Sequence, residues 1–214
     1  MHLNKEDILG LERVKRLNII NSVTGIKPAN LIGTISNSGV TNVAIFSSIV
    51  HLGSNPALIG FIIRPNEEVP RHTYQNIQEN EVYTINHVHP SIAKRAHYTS
   101  AKFDYDISEF EACHLTEEFI DDFKAPFVKE SELKLGMRFR ESIPIKANGT
   151  IIVIGEIEEI IIPDAALDNK GYIDLSKTNS MGISGLNSYY TVEKREEFPY
   201  ARVNEIPDFS TSAE

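Results

Sequence analysis

Hydrophobic residues between positions 30 and 64 follow the short period of β-strands. Apolar runs rich in Val, Ile and Phe cover Asn30–Ser36, Asn42–His51 and Ala57–Arg64. Turn residues separate them, first around Gly39 and then across Gly53–Pro56. Because consecutive strands joined by short turns pair in opposite directions, the pattern predicts an antiparallel meander.

Three more strands follow in the second half of the chain. They are predicted at Val82–Val88, within Pro126–Lys146 and at Thr150–Ile162, with an Asn148-Gly149 hairpin turn before the last one. Strands do not alternate with long helices, which argues against a doubly wound parallel sheet. A closed or nearly closed antiparallel barrel removes the exposed sheet edges, so we expect a mainly β fold with a few flanking helices.

Helical spacing occurs in three places. The first helix is predicted at Asn4–Leu17, with Asn4 as its N-cap. A short helix is predicted at Thr73–Asn80, with Thr73 as its cap, and another from Pro90 to about Tyr98. These helices flank the strands and do not alternate regularly with them, which is typical of an α+β arrangement.

Length and composition fit one globular unit. The 214 residues, with 41% hydrophobic and 24% charged side chains, suffice for one sizeable core. We therefore expect a single domain over residues 1–214. Its N-terminal helix covers about 4–17, its barrel about 25–165 and its C-terminal extension about 166–214.

Charge and cysteine content narrow the partners and the compartment. The net charge of −9 argues against nucleic acid as a partner. Cys113 is the one cysteine, so neither an intramolecular disulfide nor a cysteine-based zinc site can form. The apolar stretches are too short to cross a bilayer, and the charged N-terminus does not resemble a signal peptide. We expect a cytoplasmic protein without a membrane partner.

Two serines interrupt the second apolar run. Taken alone, Ser47 and Ser48 have an ordinary explanation in which one faces solvent and the other fills a tight core position. Arg64 at the end of the next strand and Thr73 at a helix start favour another one, since hydroxyls, a guanidinium and a helix N-terminus together suit a phosphate. Backbone groups of the same strands could border a flat polar ring, so we expect a nucleotide-like cofactor such as a flavin.

Other polar clusters carry weaker signals. Ser100 and Lys102 form either a solvated surface or a second wall of the anion site, and both interpretations stay open. The pair His87 and His89 lacks a third metal ligand at a recognised spacing, so hydrogen-bonded or surface histidines are favoured. The carboxylates near Glu156 are expected to form a solvated strand face. We predict no metal, and no nucleophile elbow or phosphate-binding glycine loop is found.

Several segments together carry a family resemblance. They read NVAIFSSIVHLGSNPALIGFIIRP, RHTYQNI, VYTINHV and AHYTSAKF, in this order. Over about residues 25–165 the chain resembles the flavin reductase-like family with the FMN-binding split barrel, and GLNSYY and PYARV are similar to that family's closing segment. The resemblance implies a Greek-key split barrel, a homodimer with FMN at the subunit interface, and flavin reduction by NADH or NADPH.

The resemblance also assigns cofactor contacts to residues of this chain. It places the flavin ring along the serine-bearing strand and the phosphate near the arginine and the helix start. The implied cofactor-binding residues are Asn42, Ala44, Ile45, Phe46, Ser47, Ser48, Arg64, Thr73, Asn86, Ser100 and Lys102.

The expected function is therefore a flavin reductase. Hydride would pass from NADH or NADPH to flavin N5, and the reduced flavin could supply a partner monooxygenase. Since the cofactor carries this chemistry, no catalytic side chain is predicted. Two alternatives remain: an FMN-containing electron carrier or flavin-binding protein without nicotinamide turnover, and a barrel that has lost the cofactor.

Overall fold

A seven-stranded antiparallel sheet forms the body of the computed structural model, which describes residues 1–65 and 70–209. The strands are β1 (Lys27–Pro28), β2 (Asn30–Ile35), β3 (Thr41–Phe46), β4 (Val50–Ser54), β5 (Ala57–Ile63), β6 (Val82–His87), β7 (Glu117–Glu118), β8 (Phe127–Val128), β9 (Lys134–Ile145), β10 (Thr150–Ile161), β11 (Met181–Ser184) and β12 (Ser188–Thr191). The large sheet has the order β3-β2-β6-β9-β10-β5-β4. It confirms the mainly β, antiparallel fold that the sequence predicts.

A short connection in the chain brings the two edges of the large sheet close together. Strands β3 and β4 lie at opposite edges of the sheet order, yet only the three residues Ser47–Ile49 connect them. Four residue steps span at most about 14 Å, so the two edges must lie near each other. Rings meet across the interior as a result: the centroids of Phe46 and Phe61 are 5.2 Å apart, although four strands separate β3 from β5.

The single strand predicted at Asn42–His51 was wrong. The chain leaves the ladder at Ser47, because β3 pairs with β2 whereas β4 pairs with β5. The simple meander is corrected in the same way, since the two halves of the predicted strand serve opposite edges. The Asn148-Gly149 hairpin is confirmed, with Gly149 at a φ of +71° between β9 and β10.

Five α-helices accompany the strands in the described part of the chain. They are α1 (Lys5–Gly10), α2 (Arg13–Ser22), α3 (His72–Asn80), α4 (Ala93–Tyr98) and α5 (Glu109–Ala112), with 3-10 turns at Pro90–Ile92, Asp164–Ala166, Leu175–Thr178 and Val203–Glu205. None of the described helices is both long and apolar enough to cross a membrane.

The N-terminal helix is two helices rather than one. Asn4 caps α1 with a capping box, as predicted, but the helix ends at Gly10. A second cap then starts α2, because the Glu12 carboxylate accepts hydrogen bonds from the amides of Val14 and Lys15. Neither helix buries a residue in this chain, so apolar side chains such as Val14 and Leu17 stay exposed.

Two apolar clusters lie on opposite faces of β2 and β3. The barrel interior collects side chains from the strands and from α3, at Ile32, Phe61, Ile63, Tyr74, Ile77, Tyr83, Ile85, Leu133, Leu135, Met137 and Val153. The outer cluster lies under α4 and α5 and contains Leu31, Val43, Val88, Ile92, Ala96, Phe110, Leu115 and Val128. Alternation along β2 and β3 sends neighbouring residues to different clusters, which fixes the register of both strands.

The C-terminal segment adds structure that the sequence pattern does not predict. β11 pairs with β1 and with β12 in a separate three-stranded sheet. Ile183 on β11 is buried in the outer cluster. This part of the predicted extension therefore packs against the segment that precedes β2.

Inside the barrel, the position of Tyr83 depends on a glycine. A Cβ atom at Gly155 would lie 2.2 Å from the Tyr83 hydroxyl oxygen and 2.9 Å from its Cζ. The hydroxyl is buried and has no hydrogen-bond partner among the described residues. Burial raises the pKa of Tyr83, so the phenol stays neutral.

Gly155→Ala should therefore destabilise the fold by about 1–3 kcal/mol through overpacking. Chemical denaturation measures the change. Gly10→Ala, where a Cβ meets nothing within 4 Å, is the matched control and should change little. Adding Tyr83→Phe to Gly155→Ala should restore part of the loss, since it removes the colliding oxygen. Equal stability of Gly155→Ala and wild type would contradict this packing.

Candidate functional site

The serine segment lies at the end of β5. The Ser48 hydroxyl accepts a hydrogen bond from the Ile62 amide at 3.0 Å and lies 3.4 Å from the Ile62 carbonyl oxygen. Arg64 follows Ile62 by two residues. The structure therefore brings the serines and Arg64 together, although the Ser48 hydroxyl is already bonded to the β5 backbone.

The N-terminus of α3 faces the same place. Arg71 is its N-cap residue, and no side chain caps the helix. The first intrahelical acceptor is the Arg71 carbonyl, bonded by Gln75, so the amides of the first turn before Gln75 have no intrahelical partner. Arg71 Nε donates to the Pro65 carbonyl at 3.3 Å, which fixes this helix start beside the chain that leaves Arg64.

Arg64 and Arg71 carry like charges close to this helix start. Partial burial and the positive charge of Arg64 both lower the pKa of Arg71, which places the two guanidinium groups within electrostatic reach of each other. Neither forms an ion pair with a carboxylate within residues 1–65 and 70–209. With the positive end of the helix dipole added, the arrangement attracts an anion, although the chain as a whole is acidic.

Thr73 does not cap α3, contrary to the prediction. It lies inside the first turn and is buried, and its hydroxyl is 3.1 Å from the Asn42 side chain. Asn42 in turn adjoins Glu109, whose carboxylate accepts a hydrogen bond from the Val43 amide at 3.3 Å. Burial raises the pKa of Glu109 to about 7. The contact between Thr73 and Asn42 thus ties the first turn of α3 to strand β3.

Strand β3 offers its backbone beside the arginines. It is an edge strand that pairs only with β2 in the large sheet. The Val43 amide points away from β2, toward Glu109, so alternation directs the amides of Ile45 and Ser47 to the same open side. Between them, Phe46 turns its ring into the barrel, while Ile45 packs on the outer cluster and Ala44 is half-buried. Open backbone donors on this edge suit the polar rim of a flat ring.

Asn86 is not at this site. It is completely buried, donates to the Leu31 carbonyl and to Thr84 Oγ1, and accepts from the Val128 amide. All of its polar atoms are therefore used where β2, β6 and β8 meet. The sequence placed it correctly on a strand but could not show which groups it bonds.

Ser100 and Lys102 also lie apart from the arginines. Both are exposed residues after α4, and the Ser100 hydroxyl donates to the His97 carbonyl at 2.7 Å. No recorded hydrogen bond or ion pair within the described chain joins either of them to Arg64 or Arg71. Within the described residues of this chain, the second wall predicted from Ser100 and Lys102 is not assembled.

The remaining polar clusters have structural partners. His87 Nδ1 lies 2.9 Å from Ser180 Oγ, and burial lowers the pKa of His87 to about 4. The carboxylates of Glu156 and Glu158 pair with Arg140 and Arg138 on the neighbouring strand. No group of three His, Cys, Asp or Glu residues in the described part of the chain is placed to hold a metal ion.

Several residues near the site were not among the predicted contacts. Arg71 and His72 could have been found, because they directly precede the predicted helix. The ring of Tyr105 packs edge-on against His72, with centroids 5.1 Å apart, and Glu109 reaches β3 from α5. No periodic signal in the acidic stretch that contains Tyr105 and Glu109 indicates either contact.

Asn30 is another buried side chain without a hydrogen-bond partner in the described part of the chain. Both polar atoms of the Asn30 amide have no hydrogen-bond partner among the described residues, and the residue is completely buried. In the ladder it lies opposite Phe46 on β3 and His87 on β6. Directly opposite side chains share one face of a sheet, so Asn30 adds polarity to the barrel end where β3 stops.

Together these features define a class of protein: an antiparallel barrel that is split at one edge, with two arginines and a helix start close to that edge. The comparisons with known proteins agree with this fold. Residues 26–178 match the model of the flavin reductase like domain, and the chain belongs to this family.

Solved structures show the same fold. A candidate flavin reductase with a split barrel domain from Shewanella frigidimarina is 51% identical, with a TM-score of 0.90 over 94% of this chain and 100% of that one. Nitrilotriacetate monooxygenase component B from Bacillus cereus is 17% identical, with a TM-score of 0.80 over 92% and 98%. Flavoredoxin of Desulfovibrio vulgaris is 20% identical, with a TM-score of 0.71 over 83% and 92%. Family and neighbours support a flavin-related function and flavin binding.

Proposed function

We propose that this protein binds FMN and reduces it with NADH or NADPH. The observation that carries the proposal is the meeting of Arg64, Arg71 and the α3 N-terminus beside the open edge of β3, in a chain of the flavin reductase-like family. FMN consists of a phosphate and a flat polar ring joined by a short chain. It therefore needs an anion site, here the arginines and the start of α3, next to a row of backbone donors, here the edge of β3.

The residues present fit the two ends of FMN. The guanidinium groups and the unbonded amides of α3 would hold the phosphate by charge-assisted hydrogen bonds. The amides of Ile45 and Ser47 would hold the polar edge of the ring, and a donor there stabilises negative charge on a reduced ring. Bound FMN supplies the hydride-accepting atom, and the protein supplies position and electrostatics.

This division of labour explains why no acid–base pair is required at the site. His87 is neutral because burial lowers its pKa to about 4, and it is held by Ser180. Arg71 keeps its charge at every relevant pH, although partial burial and Arg64 lower its pKa. The chain's own residues therefore bind and orient, and the hydride donor must approach the ring face that the protein leaves open.

We also propose that two copies of the chain form the complete site. Strand β4 continues directly from the serine segment and is an edge strand, with Val50 and Leu52 both 46% exposed. Helices α1 and α2 bury nothing within the chain and leave Val14 and Leu17 uncovered. A second copy would cover this apolar surface and bring further contacts to FMN, for which Ser100 and Lys102 are the candidates.

A partner monooxygenase is the proposed consumer of reduced flavin. Its support is the likeness to nitrilotriacetate monooxygenase component B, which at 17% identity shows a shared fold. This role needs FMN to leave the protein after reduction. It predicts that gel filtration strips FMN from the loaded protein, and a tightly retained yellow protein would argue against it.

The reductase proposal is tested with purified protein, FMN and each nicotinamide. We expect the nicotinamide absorbance to fall in proportion to protein concentration, with one of NADH and NADPH preferred. If FMN binds and neither nicotinamide is oxidised, the protein is an electron carrier or a flavin-binding protein without nicotinamide turnover. If FMN does not bind at all, the flavin proposal fails.

The dimer is tested by sedimentation equilibrium on the wild type, Val50→Glu and Val203→Glu. We expect a wild-type dimer and a shift to monomer in Val50→Glu, since a buried charge opposes association. Val203 is 89% exposed in the C-terminal segment, so Val203→Glu is the matched control and should stay dimeric. A wild-type monomer that binds one FMN would contradict a shared site.

A further inference from the structure

Glu109 lies on the open edge of β3, next to the amides that the proposed function assigns to the flavin ring. Its carboxylate accepts a hydrogen bond from the Val43 amide at 3.3 Å, on the side of β3 that faces away from β2. The amides of Ile45 and Ser47 follow on the same edge at intervals of two residues, each about 6.6–6.8 Å along a strand. A carboxylate therefore lies one such interval from the first backbone donor of the proposed ring site.

Contacts with β3 hold this carboxylate in place. In the orientation that satisfies all of its neighbours, the Asn42 amide donates its NH₂ to the same Glu109 oxygen at 3.3 Å. The hydroxyl of Ser108, the residue before Glu109, lies 2.7 Å from the Thr41 hydroxyl oxygen. Glu109 itself is buried. The carboxylate therefore cannot turn away from the strand edge without breaking these contacts.

The charge of Glu109 opposes the charge that a flavin ring acquires on reduction. Hydride transfer to the neutral oxidised ring carries two electrons, and it leaves an oxidised nicotinamide and a reduced ring with one negative charge. Two like charges about 7 Å apart change an equilibrium constant by about tenfold or more at the effective dielectric constant of protein sites. A proton on the Glu109 carboxylate removes this repulsion.

We propose that Glu109 sets the reduction potential of the bound flavin and takes up a proton from solvent when the flavin is reduced. The inference rests on the proposed binding of FMN at the β3 edge and adds a control of its redox chemistry. In the balanced step, the nicotinamide loses a hydride, the ring gains it, and one solvent proton converts the Glu109 carboxylate to a carboxylic acid. Because linkage is reciprocal, an ionised Glu109 weakens the binding of reduced FMN relative to oxidised FMN, which favours delivery of reduced FMN to a partner.

Both protonation states of Glu109 are accessible near neutral pH. Burial raises its pKa to about 7, and the N–H groups of Val43 and of Glu109 itself oppose the shift. Cys113 on the same helix stays a neutral thiol, because burial and the Glu109 charge both raise its pKa. A change of charge at this position therefore falls on the carboxylate.

The elements around Glu109 bring other titratable groups, but β3 itself has none. Glu117 on β7 accepts a hydrogen bond from Thr41. Helices α3 and α4, which also contact β3, carry the basic residues His72, Lys94, Arg95 and His97. None of these groups forms an ion pair with Glu109 within residues 1–65 and 70–209. Glu109 thus keeps its own charge at the β3 edge when it is ionised.

The sign of the pH effect follows from the raised pKa. Below about pH 7 Glu109 is already neutral in the oxidised protein, so the repulsion is absent; above that pH the carboxylate is ionised and lowers the reduction potential. Glu109→Gln keeps an acceptor for the Val43 amide and removes the charge at every pH. Glu111→Gln, which changes an exposed carboxylate on the same helix, is the matched control.

The experiment measures the midpoint potential of FMN bound to the three proteins by spectroscopic redox titration at about pH 5.5 and about pH 8.5, on either side of the Glu109 pKa. At the higher pH, Glu109→Gln should favour reduced over oxidised FMN about tenfold more than wild type does, which is about 30 mV for a two-electron couple. At the lower pH the difference should disappear, and Glu111→Gln should match wild type at both. Equal potentials of wild type and Glu109→Gln at the higher pH, or an equal shift in both variants, would overturn the proposal.

A second measurement keeps the inference testable if Glu109→Gln does not fold. Glu109 is the one buried carboxylate among the described residues. The reduced-minus-oxidised infrared difference spectrum of FMN-loaded wild type, taken at the higher pH, should therefore gain a carboxylic acid carbonyl band that shifts in D₂O. Absence of that band would overturn the proton uptake. Failure of wild type to bind FMN at either pH would instead remove the proposed function on which the inference rests.

Discussion

The three-residue connection Ser47–Ile49 is the constraint on which the site depends. It joins the two edges of a seven-stranded sheet. The sheet must therefore curl until the end of β3 and the start of β4 lie close together in space. The curl brings Phe46 against Phe61 inside the barrel and Ser48 onto the backbone of Ile62 outside the ladder. A serine suits this position, because its small hydroxyl can accept from the Ile62 amide and donate to the Ile62 carbonyl on the side of β5 that β4 no longer covers.

Like charges lie close together near the same connection. The end of β5 carries Arg64 to the start of α3, where Arg71 lies with its side chain on the Pro65 carbonyl. Two guanidinium groups and a helix N-terminus repel one another, so this region is a source of electrostatic repulsion rather than of stability, and the proposed anion would relieve that repulsion. Glu109 on α5 is buried beside β3, and burial raises its pKa to about 7.

The sequence predicts the fold well wherever one physical rule acts alone. Period-two apolar runs locate β2, β5, β6 and β10, and Asn148-Gly149 locates the hairpin. It fails where two rules compete. The apolar run continues through Ser47, although the chain changes its pairing strand there. At the N-terminus the helical spacing predicts a single helix, but the Glu12 side chain caps the start of a second one. The two-residue strand β1 is too short to have any pattern.

The candidate site divides in the same way. Proximity of Arg64 to the serines follows from hairpin pairing and is predictable. The role of Thr73 is not, because only the packing of α3 on β3 turns its hydroxyl toward Asn42 rather than toward its own helix start. Glu109 lies in an acidic, irregular stretch, and its burial depends on α5 packing against β3. For Asn86 the strand position is predictable, but the sequence does not reveal that every polar atom of its side chain is already hydrogen-bonded within the fold.

The central claim is that Arg64 and the start of α3 hold the phosphate of a flavin. Its most direct test is a comparison of FMN with riboflavin, which lacks the phosphate, on wild type, Arg64→Gln and Arg140→Gln. Charge-assisted hydrogen bonds of about 1.5–3 kcal/mol predict that wild type prefers FMN by about tenfold or more. Arg64→Gln should lose most of that preference, and Arg140→Gln, which changes an exposed pair with Glu156, should keep it. Equal wild-type affinity for FMN and riboflavin would contradict the account.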